Sequence, residues 1–150
     1  MKRLGLLVFA LLLTAGSEAS AADRLHIPVP SNTATPAGPN PPFSQAVMMG
    51  DTLYLSGTTD GGTTFGGTPG DAAKRVLENL KREVEAGGLT MDDLVWVQIF
   101  STDLADYQAF NTVYRTYFKG LFPARAYLGV DHLLGGARFE VTGIAVRRAK

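Results

Sequence analysis

The spacing of hydrophobic positions changes along this chain, and each change marks a predicted element. Apolar residues recur at helical spacing from Ala72 to Val84, which predicts an amphipathic helix with one buried face. Thr68 offers a side-chain cap before this segment, and Pro69 suits the first helical position. Gly87-Gly88 follows the segment and suits its end, because glycine accepts the left-handed backbone common past a helix terminus. A second helix is predicted from Tyr107 to Phe118 by its apolar spacing.

Shorter segments carry the β-branched, aromatic or alternating pattern of strands. Leu94 to Phe100 is apolar on both faces, which is typical of a buried central strand. Gly50-Asp51 suits a two-residue hairpin turn, whereas the glycine-rich segment 57–70 is predicted to be a loop. The predicted strands are Ala46–Met49, Thr52–Ser56, Leu94–Phe100, Ala126–Val130 and Arg138–Val146.

The predicted order of elements is β-β-α-β-α-β-β, which indicates an α/β domain. Two helices would pack on one face of a mixed sheet and leave the other face uncovered in a monomer. The strands that carry Tyr54 and Phe100 must then face an apolar partner on both sides of the sheet. Association through the bare face is the usual remedy, so we expect a homo-oligomer.

The N-terminal segment differs from the rest of the chain. A basic start, Met1-Lys2-Arg3, precedes an apolar run from Leu4 to Ala15, and Ala19-Ser20-Ala21 offers small residues for cleavage. The run is too short for a permanent span of a hydrocarbon core about 30 Å thick, although a membrane anchor is the alternative. We therefore expect a periplasmic or secreted protein that is off the membrane after cleavage. The predicted organisation is a signal peptide at 1–21, an extended proline-rich arm at 22–38 and one domain at 39–150.

Composition narrows the classes of function. The chain has 150 residues, 45% of them hydrophobic, which suits a single core. Its 14 basic and 14 acidic residues leave no net charge to attract nucleic acid. With no cysteine and two histidines, the chain offers no disulfide and no zinc ligand set. The sequence also has neither a serine triad nor a phosphate loop. From the missing ligand set and these missing motifs we expect no metal and no cofactor.

Two charged residues remain as candidates for chemistry. Arg125 follows Phe122-Pro123-Ala124 at the start of an apolar strand, where its guanidinium could bind a carboxylate. The alternative is a structural ion pair with an acidic residue: Asp103, Asp131 or Glu140. Glu140 shares one side of the last strand with Thr142 and Ile144, and in a cleft it could position or activate a water. The alternative for Glu140 is a cross-strand ion pair with Arg138 or Lys119.

The chain resembles the Rid family of reactive-intermediate deaminases, also labelled endoribonuclease L-PSP, from about Pro39 to Arg148. The resemblance does not rest on one short motif. It consists of several motifs along the chain, which are specific when taken together. They are Pro-Phe43-Ser44-Gln45-Ala46-Val47, Leu55-Ser56-Gly57, Val76-Leu77-Glu78-Asn79-Leu80, Ala86-Gly87-Gly88-Leu89, Asp103-Leu104-Ala105-Asp106-Tyr107, Phe110-Asn111-x-x-Tyr114, Phe122-Pro123-Ala124-Arg125 and Gly136-Ala137-Arg138-Phe139-Glu140-Val141.

The resemblance implies a chorismate-mutase-like fold that forms a homotrimer with the sheets inward and clefts between subunits. It implies hydrolysis of 2-imino acids or enamines to 2-oxo acids and ammonia, as in 2-iminobutanoate/2-iminopropanoate deaminases. By resemblance Arg125 binds the substrate carboxylate and Glu140 orders the water. The same resemblance places four further residues in the cleft: Phe43, Ser56, Asn111 and Tyr127.

Some positions depart from the family pattern. Phe43 stands where deaminases usually have tyrosine, and Tyr127 replaces a small residue, so the pocket wall is altered. We therefore expect carboxylate binding to be kept and substrate choice to shift. The alternatives are a trimer that binds a small carboxylate or acts like a chaperone without turnover, and a ribonuclease, which the neutral composition disfavours.

Overall fold

The computed structural model describes residues 24–30 and 41–148 of the chain. The predicted signal peptide lies outside the described residues, and so do residues 22–23 and 31–38 of the predicted arm. Among the described helices none has the length and apolar character needed to cross a membrane.

The described residues form one mixed sheet with two helices, which confirms the predicted fold class. The strands are β1 (Arg24–Ile27), β2 (Ala46–Met49), β3 (Thr52–Leu55), β4 (Thr58–Thr59), β5 (Leu94–Ser101), β6 (Ala124–Gly129) and β7 (Phe139–Val146). Their order in space is β1-β2-β3-β7-β5-β6, and β4 also pairs with β7. Only the β5–β6 pair is parallel, since a helix connects these two strands; the other described pairs are antiparallel.

Helix α1 (Pro69–Ala86) begins where the cap residues predict. The Thr68 hydroxyl accepts a hydrogen bond from the Asp71 backbone at 3.2 Å, and the Asp71 carboxylate accepts one from the Thr68 backbone at 2.8 Å. This reciprocal capping box satisfies two backbone donors at the helix start. The buried face of α1 packs on β3, β4 and β7 and is apolar except at Glu83.

Helix α2 (Tyr107–Tyr114) is shorter than predicted. The predicted helix extends to Phe118, but a 3-10 turn, Arg115–Tyr117, replaces its last turn. Two described strands were not predicted. β1 lies within the predicted arm and pairs with β2, and β4 lies within the predicted glycine-rich loop. Both are too short to show a periodic pattern, so their pairing partners determine them.

The two faces of the sheet differ in what covers them. In β7 the side chains that alternate from Phe139 to Ala145 are buried under the helices, whereas Glu140, Thr142 and Ile144 point to the opposite face. That open face also carries Tyr54, which is 48% exposed, and Leu128, which is 40% exposed. The uncovered apolar face expected from the order of elements is therefore present.

Candidate active site

Arg125 lies on β6, on the face of the sheet that the helices cover. It pairs in register with Val97, a fully buried residue of β5, so both side chains point towards α2. Arg125 Nη1 donates to Asn111 Oδ1 at 2.7 Å, and Nη2 donates to the Tyr107 hydroxyl at 3.3 Å. Both acceptors are neutral. None of the ion pairs between described residues includes Arg125, so the predicted alternative of a structural pair with an acid is not what the structure has.

Helix α2 supplies the surroundings of the guanidinium. Tyr107, Asn111 and Tyr114 follow one another at spacings of four and three residues and therefore share one face of the helix. The guanidinium carbon lies 4.9 Å from the centre of the Tyr114 ring and 5.7 Å from that of Tyr107. Burial raises the pKa of Tyr114 to about 12, so its ring stays neutral beside the cation at ordinary pH.

An open cavity of about 210 Å³ lies next to Arg125. It is lined by basic, polar and aromatic side chains and one proline: Arg115, Arg125, Asn111, Tyr107, Tyr114, Phe122 and Pro123. Arg125 and Asn111 were predicted as site residues from the sequence, whereas Tyr107 and Arg115 were not. Their spacing of four residues on either side of Asn111 was the available signal, because such residues project from one helix face.

Tyr127 also faces the helices, two residues after Arg125. Its ring meets the Tyr107 ring edge-on at 5.0 Å between centres and the Phe110 ring at 5.6 Å. Burial raises the pKa of the Tyr127 hydroxyl. The large side chain at this position thus packs into the wall beneath Arg125, in the place where the resemblance leads one to expect a small residue.

Glu140 lies on the opposite face of the sheet. It pairs with Phe100 of β5 and with Thr59 of β4, and its side chain is half-buried. Burial raises the pKa of its carboxyl group. None of the ion pairs between described residues includes Glu140 or Lys119, and Arg138 pairs instead with Asp106. Glu140 is therefore not the cross-strand partner that the alternative interpretation required.

The backbone around Ser56 lies against the Glu140 carboxylate. A β-carbon added to Gly57 would fall 2.1 Å from Glu140 Oε1, so the Glu140 carboxylate lies directly against the Gly57 backbone and would have to shift for any larger residue. The Ser56 hydroxyl donates to the Ser44 carbonyl at 2.7 Å, which ties this segment to the one that carries Phe43. The Phe43 side chain is 45% exposed. Ser56 and Phe43 thus lie in the segments beside Glu140.

The predicted site residues therefore form two groups in one chain. The first group, Arg125, Asn111 and Tyr127, lies on the helix side of the sheet at the β6 edge. The second group, Glu140 with the segments of Ser56 and Phe43, belongs to the open side and the region near β4. Since the two strand positions alternate to opposite faces, a single copy does not bring Arg125 and Glu140 together. Among residues 24–30 and 41–148 no group of three potential metal ligands is found.

The chain is similar to known proteins in both sequence and fold. The 2-iminobutanoate/2-iminopropanoate deaminase of Dermatophagoides farinae is 40% identical over 118 residues, which cover 75% of this chain and 92% of that protein. The crystal structure of RidA from an Antarctic Psychrobacter is 30% identical with a TM-score of 0.71, over 82% of this chain and 99% of that one. The crystal structure of E. coli TdcF with bound serine is 31% identical with a TM-score of 0.67, over 71% of this chain and 89% of that one.

The family model described as endoribonuclease L-PSP matches residues 33–147. This range includes every predicted site residue and all described strands except β1. The match agrees with the motifs that suggested the Rid family and with the similarity of the fold to solved members. The chain therefore belongs to the endoribonuclease L-PSP family, the Rid family of the sequence resemblance.

Proposed function

We propose that this protein hydrolyses reactive 2-imino acids and their enamine tautomers to 2-oxo acids and ammonia. Arg125 binds the substrate carboxylate, and Glu140 positions the attacking water. The proposal rests on the surroundings of Arg125. Its guanidinium lines a cavity and, among the described residues, contacts only neutral acceptors and aromatic rings. A guanidinium held in this way keeps its charge and two-pronged geometry available for a carboxylate.

Hydrolysis of an imine mainly requires the protein to orient the substrate and a water molecule. The imine carbon is already electrophilic, so a water placed against it adds to the C=N bond, and the resulting amino alcohol expels ammonia to leave C=O. Holding the carboxylate fixes the imine carbon relative to that water, which removes much of the entropic cost of the encounter. A half-buried carboxylate such as Glu140 accepts a proton from the water as it attacks.

We propose further that the active unit is a homotrimer whose sheets face inward. Arg125 and Glu140 lie on opposite faces of one sheet, so a site with both groups needs two copies of the chain. The exposed apolar residues of the open face support such an association. In this arrangement the Arg125 group of one copy meets the Glu140 group of its neighbour.

The relatives support the same class of reaction. The proteins of Dermatophagoides farinae and Homo sapiens that resemble this chain are both named 2-iminobutanoate/2-iminopropanoate deaminase. The E. coli relative was crystallised with serine, a molecule that presents a carboxylate next to a nitrogen-bearing carbon. A 2-imino acid presents the same pair of groups.

We also propose that the chain is exported by a cleavable signal peptide at residues 1–21 to the periplasm or the medium. The basic start, the short apolar run and the small residues at 19–21 support this. Cell fractionation followed by mass measurement of the mature protein tests it. A protein recovered from the cytoplasm with its N-terminal segment intact would contradict it.

A competition assay tests the proposed reaction. An amino-acid oxidase generates 2-iminopropanoate from alanine, semicarbazide traps the imine, and the purified mature protein is added in increasing amounts. The proposal predicts that trapping slows in proportion to the protein added. For Arg125→Ala we expect this activity to disappear and 2-oxobutanoate affinity to fall at least about 30-fold, since losing one partner of a buried charged pair costs roughly 2 to 5 kcal/mol.

Lys74→Ala is the matched control, because Lys74 is an exposed cation on α1 outside the candidate site. It should behave as the wild type in both assays. Carboxylate binding without any effect on trapping would instead favour a binding protein without turnover. An Arg125→Ala protein that is folded and titrates like the wild type would remove Arg125 from the site.

A further inference from the structure

The cavity beside Arg125 contains a second guanidinium, that of Arg115. Both side chains line the same space, and none of its lining residues is acidic. No ion pair between the described residues includes either arginine. Within one copy of the chain, one monocarboxylate would therefore leave one of these two positive charges without an anionic partner.

The position of Arg115 follows from the same helix face that holds Arg125. Arg115 comes four residues after Asn111, whose side chain accepts from Arg125, and so projects to the same side of the helix. Its guanidinium carbon lies 5.8 Å from the centre of the Phe122 ring. That ring stacks on the Tyr114 ring at 6.2 Å, and Tyr114 lies under Arg125 at 4.9 Å. Two stacked rings thus carry one guanidinium each.

The electrostatic consequence is a cavity that prefers a doubly charged anion. Two like charges along one cavity repel each other, and an anionic group bound at each removes that repulsion. Phe122 and Tyr114 hold the guanidiniums by cation–π contact. A guanidinium has five N–H donors, so Arg125 keeps further N–H groups for a ligand beside the two that donate to Asn111 and Tyr107. The exposed end of a helix also favours a basic residue by itself, so the test must separate ligand binding from helix stability.

We propose that the preferred substrate is an imine of a dicarboxylic amino acid, whose 2-carboxylate binds Arg125 and whose distal carboxylate binds Arg115. This inference rests on the proposed function and adds the substrate class. The reaction is unchanged: water adds across C=N, the C–N bond breaks, and ammonia and a 2-oxo dicarboxylate are released. A reaction that oxidises the Cα–N bond of an acidic amino acid to C=N must supply such an imine.

Binding of two product analogues tests the proposal directly. Titration calorimetry on the mature protein compares 2-oxoglutarate, which has two carboxylates, with 2-oxobutanoate, which has one. We expect 2-oxoglutarate to bind about tenfold more tightly, a difference of about 1.4 kcal/mol. The preference should shrink as salt is raised, because an exposed charge pair is screened at a Debye length of about 8 Å near 0.15 M.

Three variants separate the role of Arg115 from that of fold or net charge. Arg115→Gln should lose the preference for 2-oxoglutarate and keep its 2-oxobutanoate affinity, whereas Arg115→Lys should keep most of the preference. Lys81→Gln removes one positive charge from α1, outside the cavity, and should bind both ligands as the wild type does. Turnover of the imines of glutamate and alanine, measured in the trapping assay, should follow the same order.

The inference and the proposed function can fail separately. Equal affinities for the two analogues in the wild type, or an Arg115→Gln variant that loses both ligands alike, would overturn the dicarboxylate assignment. Hydrolysis of the alanine imine alone would also overturn it while the deaminase proposal stands. If the wild type hydrolyses neither imine and Arg125→Ala still binds both analogues, the site itself is wrong and both proposals fall.

Discussion

Glu140 has a half-buried carboxylate that lies directly against the backbone of Gly57. Burial raises the pKa of this carboxyl group above its usual value because the charged form loses contact with water. A carboxylate that takes a proton from water must be ionised. In the proposed reaction, the raised pKa of Glu140 would therefore set the acidic limit of turnover.

For Glu140→Gln we expect turnover to fall about 100-fold or more, in line with the loss of a general base, with ligand affinity largely kept. In the wild type, kcat should decrease as pH falls through the raised pKa of Glu140, since protonation removes the base. The variant should lack this acidic limb. Stopped-flow trapping assays across pH, with 2-oxobutanoate titrations alongside, measure both quantities. An equal loss of affinity would mark Glu140 as a structural residue.

Glu83 is a buried carboxyl group on the otherwise apolar inner face of α1. Burial raises its pKa from 4.5 to about 8, although the side chains of Thr58 and Gln45 lie next to it as hydrogen-bond donors. Its Oε2 atom has no hydrogen-bond partner among the described residues. Glu83 is therefore expected to be mostly protonated in the folded protein at neutral pH and ionised in the unfolded chain.

This difference makes stability depend on pH. Between about 4.5 and 8 the folded state holds a proton that the unfolded state has released, so the free energy of unfolding falls as pH rises, by up to about 1.4 kcal/mol per unit. Glu83→Gln should remove this slope and exceed the wild type in stability at pH 8.5. Urea unfolding between pH 5.5 and 8.5 checks this. Identical slopes in the two proteins would show that Glu83 does not titrate in this range.

Among the helices, both ends of α1 follow from local signals, whereas the C-terminal end of α2 does not. The capping box of Thr68 and Asp71, with Pro69 between them, starts α1 at the residue that its sequence predicts. Helix α2 lacks such a signal at its end, and its last turn tightens to a 3-10 turn. Tyr117 in that turn donates to Glu78 of α1 at 2.7 Å, a contact between helices that local spacing does not encode.

Thr68→Ala should lower the free energy of unfolding by about 1 kcal/mol, the usual cost of removing a helix cap. The loss arises because the Asp71 backbone N–H then has no side-chain acceptor. Urea denaturation at neutral pH measures it. Thr64→Ala is the control, since Thr64 is exposed in the preceding loop, and it should stay within about 0.5 kcal/mol of the wild type. Equal stability of both variants would mean that the cap contributes nothing.

For the molecule as a whole, the main feature is the open face of the sheet, which no helix covers. Ile144 lies at its centre, between Tyr54 of β3 and Trp96 of β5 in register. These residues, with Leu128 and the β-branched side chains around them, form an apolar surface opposite to the helices. The proposed trimer would bury this surface and assemble each site from two copies.

Ile144→Lys should therefore dissociate the proposed trimer without unfolding the monomer, because the ammonium group would be buried among apolar side chains only in the assembly. Light scattering coupled to size exclusion measures the mass, and circular dichroism measures the fold. The trapping activity should disappear with the trimer. Thr112→Lys, on the exposed side of α2, is the control and should remain trimeric and active. A wild type that is monomeric at micromolar concentration would contradict the assembly.

The elements with strong local signals, and the family, could be predicted from the residues of the chain alone. Helix α1, the β2–β3 hairpin and the long strands β5 and β7 follow from periodicity and turn chemistry, and the motifs around Phe43, Arg125 and Glu140 suggested the family that the comparisons confirm. The bare apolar face also followed from the order of elements. These features depend on neighbours a few residues apart, which a pattern records.

The side of the sheet that each candidate residue faces, and the groups that lie beside it, depend on how the strands pair and the helices pack. The strands β1 and β4 form because partners distant in the chain offer hydrogen bonds, and Tyr107 and Arg115 join Arg125 because α2 packs over β6. Strand pairing and helix packing bring together groups that are far apart in the chain. Spacing along the chain therefore could not show that Arg125 and Glu140 point to opposite faces.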